Sequence, residues 1–289
     1  MEFQHTEKSG DIIDKVFNKK RADDRKKWLE DYDGDDSVNT SDASMTYEEF
    51  VDREMIQFSR YDCSRSIPGA DGLKTSLRKI IYGMFKRNAT NEVKVAQLSG
   101  YVAEHSGYHH GEVSLQGAIV GMAQTFVGSN NINLLEPNGQ FGTRLEGGKD
   151  SASPRYIFTR LSPITRYIFH PDDDAILNYL QDDGDMVEPD NYLPIIPMLL
   201  VNGSIGIGTG FSTTILCYNP EHIIDYTEAL VRKSTNLEEM PLSPYYEGFC
   251  GTIEPYYKGD SVEYLIRGVY EVSGNTIRIT ELPIGTWTT

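Results

Sequence analysis

Leu73–Asn88, LKTSLRKIIYGMFKRN, is the stretch whose reading decides the fold. Leu73, Leu77, Ile80, Ile81, Met84 and Phe85 recur at helical spacing and form one apolar stripe. Lys74, Arg78, Lys79, Lys86 and Arg87 are the charged remainder, five cations and no anion in sixteen residues. Working outward, Val93–Glu104 predicts a short helix. Val113–Val127 predicts another, with Leu115, Ile119, Met122 and Phe126 turned inward. Compact helices that carry basic residues suit a helix-turn-helix or winged-helix DNA reader.

That density of positive charge stands against the total. The chain has 289 residues, 27 Lys plus Arg, 43 Asp plus Glu, and a formal net charge of −16. Such a balance argues against a general nucleic-acid binder unless the charges are segregated. They are segregated: the anions run through Asp31–Asp36, Asp172–Asp174 and Asp182–Asp185, and the cations gather on one helix and beside one tyrosine. A content of 39% hydrophobic and 24% charged residues excludes disorder by composition. The length allows one large domain or two ordinary ones. Cys63, Cys217 and Cys250 make no CxxC pair, which argues against zinc and fits a reducing compartment. The N-terminus lacks the apolar core of a signal peptide. The most apolar stretch, Tyr192–Val201, is too short and proline-broken to span a membrane. A soluble, intracellular protein is expected.

Upstream, Asp11–Glu30 reads as a helix, with Ile12, Ile13, Val16 and Phe17 at helical spacing. Asp31–Ser44 reads as an acidic, polar loop. Its Asp31, Asp33, Asp35 and Asp36 lack the Gly and Glu placement of an EF-hand. Thr46 with Glu49 three residues on is a capping box, and Phe50, Val51, Met55 and Phe58 would be the apolar face behind it. Downstream, Gly128–Asp150 is glycine-rich and irregular. Asn219-Pro220-Glu221 starts a helix that should reach about Arg232. From Gly248 on, Tyr264, Ile266, Ile277 and Ile279 alternate, and Ser273-Gly274-Asn275 reads as a hairpin turn. The fold class is therefore α+β, with a change of character near residue 216.

Chemistry concentrates in Gly142–Thr159, GTRLEGGKDSASPRYIFT. Arg144, Lys149, Arg155 and Tyr156 stand there among small residues that would let a phosphate backbone approach, with loop amides available to anions. A tyrosine hydroxyl ionises at about 10, so it needs help to attack at neutral pH. A flanking arginine can stabilise both the phenolate and a phosphoryl oxygen. As a dipeptide, Arg155-Tyr156 singles out nothing among 18 tyrosines. His109-His110 fits no standard metal spacing. It could serve phosphate contact or proton transfer, or be satisfied by backbone at a helix start. Gly203–Gly210, GSIGIGTG, fails the dinucleotide pattern because Phe211 stands where the third glycine belongs, and Gly147-Gly148-Lys149 is not a P-loop.

Together these segments resemble the type IIA DNA topoisomerases, in their eukaryotic and large-virus form. The resemblance rests on SRSIPGADGLKTSLRKIIYGMFKRN (Ser64–Asn88), KVAQLSGYVAEHSGYHHGEVSL, TFVGSNNINLL, GQFGTRLEGGKDSASPRYIFT, IIPMLLVNGSIGIGTG and ITELPIGTWTT, in the family's order from about residue 10. It implies a linker helix over 1–43, a winged-helix (CAP-like) domain with the catalytic tyrosine over 44–215, and the first part of a mixed α/β tower domain over 216–289. It implies that Tyr156 attacks a DNA phosphate to give a 5′-phosphotyrosyl link, with Arg155 stabilising the transition state. This would be the DNA-gate part of an ATP-hydrolysing isomerase that passes one duplex through another. The resemblance further implies DNA contacts by Lys74, Arg78, Lys79, His109, His110, Arg144 and Lys149. Ile207 would wedge between base pairs, at a cost of a few kcal/mol of unstacking.

No metal ligand is expected in this chain. Mg²⁺ would be bound by the TOPRIM domain and ATP by the ATPase domain, neither of whose signatures is present. Phe17–Leu29 resembles the segment that follows TOPRIM. The implied partners are double-stranded DNA, a second copy in a homodimer, and the TOPRIM and ATPase domains of the same enzyme, with no membrane. The implied location is the nucleus, or a viral factory or virion for a viral source. Two departures are Ile205, where relatives often carry an acidic residue, and Thr75-Ser76 in place of PG. PRYIFT favours the fused branch over a separate gyrase A-type chain. The competing reading is a non-catalytic winged-helix DNA-binding or dimerisation module.

Overall fold

A computed structural model describes residues 2–32, 34, 43–88, 91–234, 237, 240–259 and 261–289. Asp33, Asp35 and Asp36 of the acidic loop lie outside the described residues. The chain divides into two compact units, one of residues 1–69 with 205–214 and one of residues 70–204 with 215–289. The architecture is mixed α+β with small sheets. Among the described residues no helix is long and apolar enough to cross a membrane.

In the first unit, strands β1 (Glu2–Gln4) and β2 (Ser44–Thr46) pair in parallel. The helix expected over 11–30 is two helices, α1 (Ser9–Phe17) and α2 (Ala22–Glu30). Asn18 causes the break. It leaves the helix in extended backbone, and its side chain accepts the Lys20 amide to start a 3₁₀ turn over Lys19–Arg21. Ile12 and Val16 are buried, one turn apart, while Ile13 and Phe17 are exposed. Trp28 and Leu29 of α2 close this small core, and the Trp28 indole N–H donates to Asp52 at 2.8 Å.

Thr46 and Glu49 form the expected capping box at the start of α3 (Tyr47–Glu49). The chain then runs through a π-helical turn, Phe50–Met55, into α4 (Ile56–Ser66). The Ile56 amide donates five residues back to Val51. This wider turn shifts the buried face by one residue. Ile56 joins Val51 inside, and Phe58, expected inside, is 58% exposed.

In the second unit α5 (Thr75–Lys86) is followed by β3 (Val93–Lys94), α6 (Val95–Ser106), α7 (Glu112–Ala123), β4 (Leu135–Asn138) and β5 (Phe158–Leu161). The sheet order is β3-β5-β4, all antiparallel. Three helices with this sheet order are a winged helix, and the β4–β5 connection, residues 139–157, is its wing. Gly107 ends α6 in the left-handed conformation. Ile80, Ile81 and Met84 of α5, Leu98 and Val102 of α6, and Leu115 and Ile119 of α7 form the core. A side chain at Gly83 would meet Val102 Cγ2 at 2.7 Å, so glycine lets α5 and α6 pack closely.

The chain continues through α8 (Thr165–Ile168), the hairpin β6 (Tyr179–Asp182) and β7 (Asp185–Pro189), and α9 (Met198–Asn202). The ribbon of β8 (Ser204–Ile207) and β9 (Ser212–Ile215) follows, and then α10 (Pro220–Val231), capped by the Asn219 side chain as expected. Two antiparallel ribbons end the chain: β10 (Thr252–Lys258) with β11 (Ser261–Arg267), and β12 (Val269–Ser273) with β13 (Thr276–Glu281). Gly274 makes the expected turn of the last ribbon. Tyr264 and Ile266 are half-buried, but Ile277 and Ile279 are exposed.

Candidate active site

Tyr156 lies in the last turn of the wing, two residues before β5, the central strand of the sheet. Its backbone is fixed from both sides. The Tyr156 amide donates to Ser153 O at 2.9 Å. The first two amides of α6, Val95 and Ala96, donate to Ile157 O and Pro154 O, each at 3.1 Å. These are helix N-terminal donors that no carbonyl of their own helix can satisfy. They find partners in the two carbonyls that bracket Arg155-Tyr156. Ile157 is 2% exposed and seals the loop to the core. The side chain of Tyr156 is held outward by this frame, 73% exposed. Arg155 beside it is exposed and has no ion-pair partner among the described residues.

The glycine-rich part of the wing has a different role from the one expected. Its amides do not wait for an anion. The Gly148 amide donates to Thr143 O at 2.8 Å, that of Thr143 to Asp150 at 2.8 Å, and that of Lys149 to Glu146 O at 3.3 Å. The Thr143 hydroxyl donates to Asp150 at 2.6 Å, and this hydrogen bonding holds the Asp150 carboxyl below the usual carboxylate range. Gly142 and Gly148 have positive φ, and a side chain at Gly142 would strike Gly148 O at 2.5 Å. The glycines therefore permit a tight internal fold. Arg144 is drawn into it. Its guanidinium donates to Glu281 and to Leu282 O, both at 2.7 Å, and ties the wing to the last strand. Lys149 is exposed, with no ion-pair partner among the described residues.

Helix α5 also differs from expectation. Arg78 is 7% exposed and forms a two-pronged pair with the fully buried Asp71, at 2.7 and 3.0 Å. Asp71 further accepts the amides of Leu73 and Tyr192. Lys79 pairs with the buried Glu188 at 2.8 Å and donates to Ser106 O. Two residues expected to grip DNA are thus committed inside the unit. Lys74 stands at the N-cap of α5, half-exposed. Sequence reasoning misses Asp71 and Glu188. Asp71 leaves a local signal, a carboxylate two residues before Leu73 and two helical turns before an arginine. Glu188 leaves none, since it reaches Lys79 from a strand more than a hundred residues on.

His109 and His110 lie in the turn between α6 and α7, ahead of the helix start. His109 is exposed and contacts Asp182 at 3.1 Å. His110 packs edge-on against Tyr108, ring centres 5.4 Å apart. On β8, strand alternation turns Gly206 to one side and Ile205 and Ile207 to the other. A side chain at Gly206 would meet Ser66 O at 2.2 Å, and one at Gly208 would meet Cys63 Sγ at 3.0 Å, so the glycine run serves close packing on α4. Ile207 is 78% exposed and Ile205 69%. Both present branched apolar side chains to solvent.

A winged helix whose wing ends in a rigidly framed, exposed Arg-Tyr pair defines a class: a scaffold of the nucleic-acid-binding type that presents a tyrosine hydroxyl and an arginine to solvent. Comparison with known proteins narrows it. Residues 65–289 match the family described as the A subunit of DNA gyrase/topoisomerase IV, and residues 1–63 match the C-terminal associated domain of TOPRIM. The chain belongs to the type IIA topoisomerase family. It is 51% identical over 294 residues to a probable DNA topoisomerase 2 of Dictyostelium discoideum, covering 100% of this chain and 19% of that protein. It is 54% identical over 285 residues to DNA topoisomerase 2 of Arabidopsis thaliana, covering 97% and 19%. The crystal structure of the Plasmodium falciparum topoisomerase II DNA-binding, cleavage and re-ligation domain superposes with a TM-score of 0.85 at 50% identity, over 99% of this chain and 39% of that one. The chain spans about a fifth of the length of these curated relatives.

Proposed function

We propose that this chain is the DNA gate of a type II DNA topoisomerase and that Tyr156 is its nucleophile. The Tyr156 oxygen attacks a backbone phosphorus, and the bond from phosphorus to the 3′-oxygen breaks. The proton released by the tyrosine ends on that 3′-oxygen. The products are a 5′-phosphotyrosyl link and a free 3′-hydroxyl, and reversal restores the duplex with no net loss of phosphodiester energy. Arg155 offers its charge to the phosphoryl oxygens as negative charge builds on them. Ile207, with Ile205 beside it, wedges into the duplex. Lys149 and Lys74 meet the backbone, with His109 and His110 near the cut. Arg78, Lys79 and Arg144 act differently from the other expected contacts, as positioning residues that hold α5 and the wing in place.

Among the described residues no three His, Cys, Asp or Glu side chains converge as a metal set. In this reading Mg²⁺ and ATP belong to TOPRIM and ATPase domains of the same enzyme, and two copies cut both strands. The segments 1–43, 44–215 and 216–289 serve as linker, winged helix and start of the tower. The site of action is the nucleus, or a viral factory or virion.

The observation that carries the reading is the exposed Tyr156 on a backbone pinned by the first turn of α6. The test is covalent trapping. The chain, supplied with a TOPRIM-bearing segment of a relative, Mg²⁺ and nicked DNA, is denatured and assayed for protein-linked 5′ ends. Wild type should give them and Tyr156→Phe should not. Equal absence from both would leave the non-catalytic DNA-binding module as the surviving reading.

A further inference from the structure

Within the second unit, α5, the end of α6 and the β6–β7 hairpin enclose a cleft of ≈ 930 Å³. Its floor is aromatic, made by Tyr82, Phe85, Tyr179 and Tyr192. Phe85 and Tyr192 meet edge to face with ring centres 5.7 Å apart. Its rim carries Glu104, Asp174, Asp182, Asp183 and Asp185 against Lys86 and Arg166. The cleft already seats its own cations on rings. The Arg166 guanidinium lies 3.4 Å from the centre of Phe85 while pairing with Asp174 at 3.0 Å. Lys86 Nζ lies 5.3 Å from the centre of Tyr82.

Two features remain unspent. Asp183 and Asp185 have no ion-pair partner among the described residues. Tyr192 is 3% exposed, and its only hydrogen bond among the described residues is made by its amide, so the hydroxyl faces the cleft without a partner. Burial, with Tyr179 and Asp174 nearby, pushes that hydroxyl above the usual tyrosine range and keeps it protonated.

Ring faces and carboxylates attract positive charge, and a hydroxyl oxygen accepts an N–H. A volume of ≈ 930 Å³ over an aromatic floor has room for an aliphatic chain. An anion would meet like charge, and no converging carboxylate set is present among the described residues for a bare divalent ion. We propose that this cleft binds an aliphatic primary ammonium ligand, from a free polyamine or from a lysine side chain of a peptide, with Asp183 and Asp185 supplying the charge and the Tyr192 hydroxyl the acceptor on the floor. The proposal stands independently of the DNA reading.

The test is calorimetric titration of the full chain with spermidine, with a lysine-rich peptide and with the same peptide carrying glutamines, each with and without Mg²⁺. Saturable binding of spermidine or the lysine peptide is expected, and none of the glutamine peptide. Loss of a charge-assisted contact is worth about tenfold or more in affinity, so the double variant Asp183→Asn, Asp185→Asn should weaken binding by about that factor. Asp183 sits at φ 50° in the hairpin turn, a conformation asparagine accepts, so the fold survives the change. Tyr192→Phe keeps the ring and should weaken binding about threefold to tenfold, at an unchanged melting temperature. The tighter of the two probes identifies the source. Absence of saturable binding, wild-type affinity in both variants, or displacement of spermidine by Mg²⁺ regardless of the variants would overturn the proposal.

Discussion

Helix α5 and the last turn of the wing both gather cations, and they use them in opposite ways. On α5, Arg78 and Lys79 are spent inside, against Asp71 and Glu188, while Lys86 and Arg87 lie over the rings of Tyr82 and Tyr101. In the wing, Lys149 and Arg155 stay exposed and unpaired by anions among the described residues. The helix has more positive charge, but its two central cations are committed to buried carboxylates, whereas Lys149 and Arg155 of the wing are both open to a phosphate. Counting charges along the sequence locates cations. Only their pairing shows which are available, because a buried charge is retained for its partner and an exposed one for its surroundings.

The largest effect should come from breaking the buried side of that comparison. Arg78→Ala leaves Asp71 charged, fully buried and short of a partner. Removing one member of a buried pair typically costs about 3–5 kcal/mol. Urea denaturation should show a loss of that size. Should Arg78→Ala keep wild-type stability and instead lose DNA affinity, the helix rather than the wing would be the phosphate-facing element.

Arg155→Ala should do the reverse. The side chain is exposed, and substitutions at such positions usually change stability by no more than about 0.5 kcal/mol. Removal of one preorganised transition-state donor typically costs about 10²–10³ in rate. Formation of the covalent DNA adduct should therefore slow by about that factor at an unchanged melting temperature. A large drop in stability with unslowed cleavage by the folded fraction would move Arg155 to the structural class of Arg144.

Much of the fold is legible in the sequence. The apolar stripe of α5, the capping box at Thr46, the Asn219 cap and the turn at Gly274 are local features whose causes lie within a few residues, and each is present. The π-helical turn before Ile56 is also local but has no residue signature, so helical spacing alone puts Phe58 inside. What is not legible is tertiary pairing. Arg78 and Lys79 look like surface cations until Asp71 and Glu188 arrive, the latter from β7. Arg144 looks like a phosphate contact until Glu281 does. The glycines of 142–148 read as an open anion loop, yet the chain uses them to close hydrogen bonds on itself. The Arg155-Tyr156 pair stands out through family resemblance rather than composition. The structure adds why that pair is held outward.

A smaller effect is expected on the ribbon. Ile207→Ala removes most of an exposed apolar side chain, so the fold should change little. A wedge trades a few kcal/mol of unstacking for a bent duplex. Its loss should reduce bending, read as energy transfer between dyes at the ends of a short duplex, more than it reduces affinity. Ile205 is nearly as exposed, and Ile205→Ala is the control: an equal loss of bending would make the wedge a two-residue feature. Parallel loss of bending and affinity in Ile207→Ala would remove the wedge.

The smallest expected effect is the most direct reading of the opening contrast. Each phosphate neutralised by a cation contributes about 0.9 to the slope of log affinity against log salt. With all five cations of α5 and its start counted as contacts, the slope would be about −4.5 from that helix alone. With Arg78 and Lys79 spent internally, its share should be smaller. Lys149→Ala should therefore lower the magnitude of the slope by about 0.9, with little change in stability. Lys79→Gln should leave the slope intact and lower stability, because Glu188 is then buried beside a neutral amide. The two variants differ by one charge each from the parent, so net charge cannot explain a difference between them. A fall in slope for Lys79→Gln without one for Lys149→Ala would reverse the assignment and return the DNA grip to the helix.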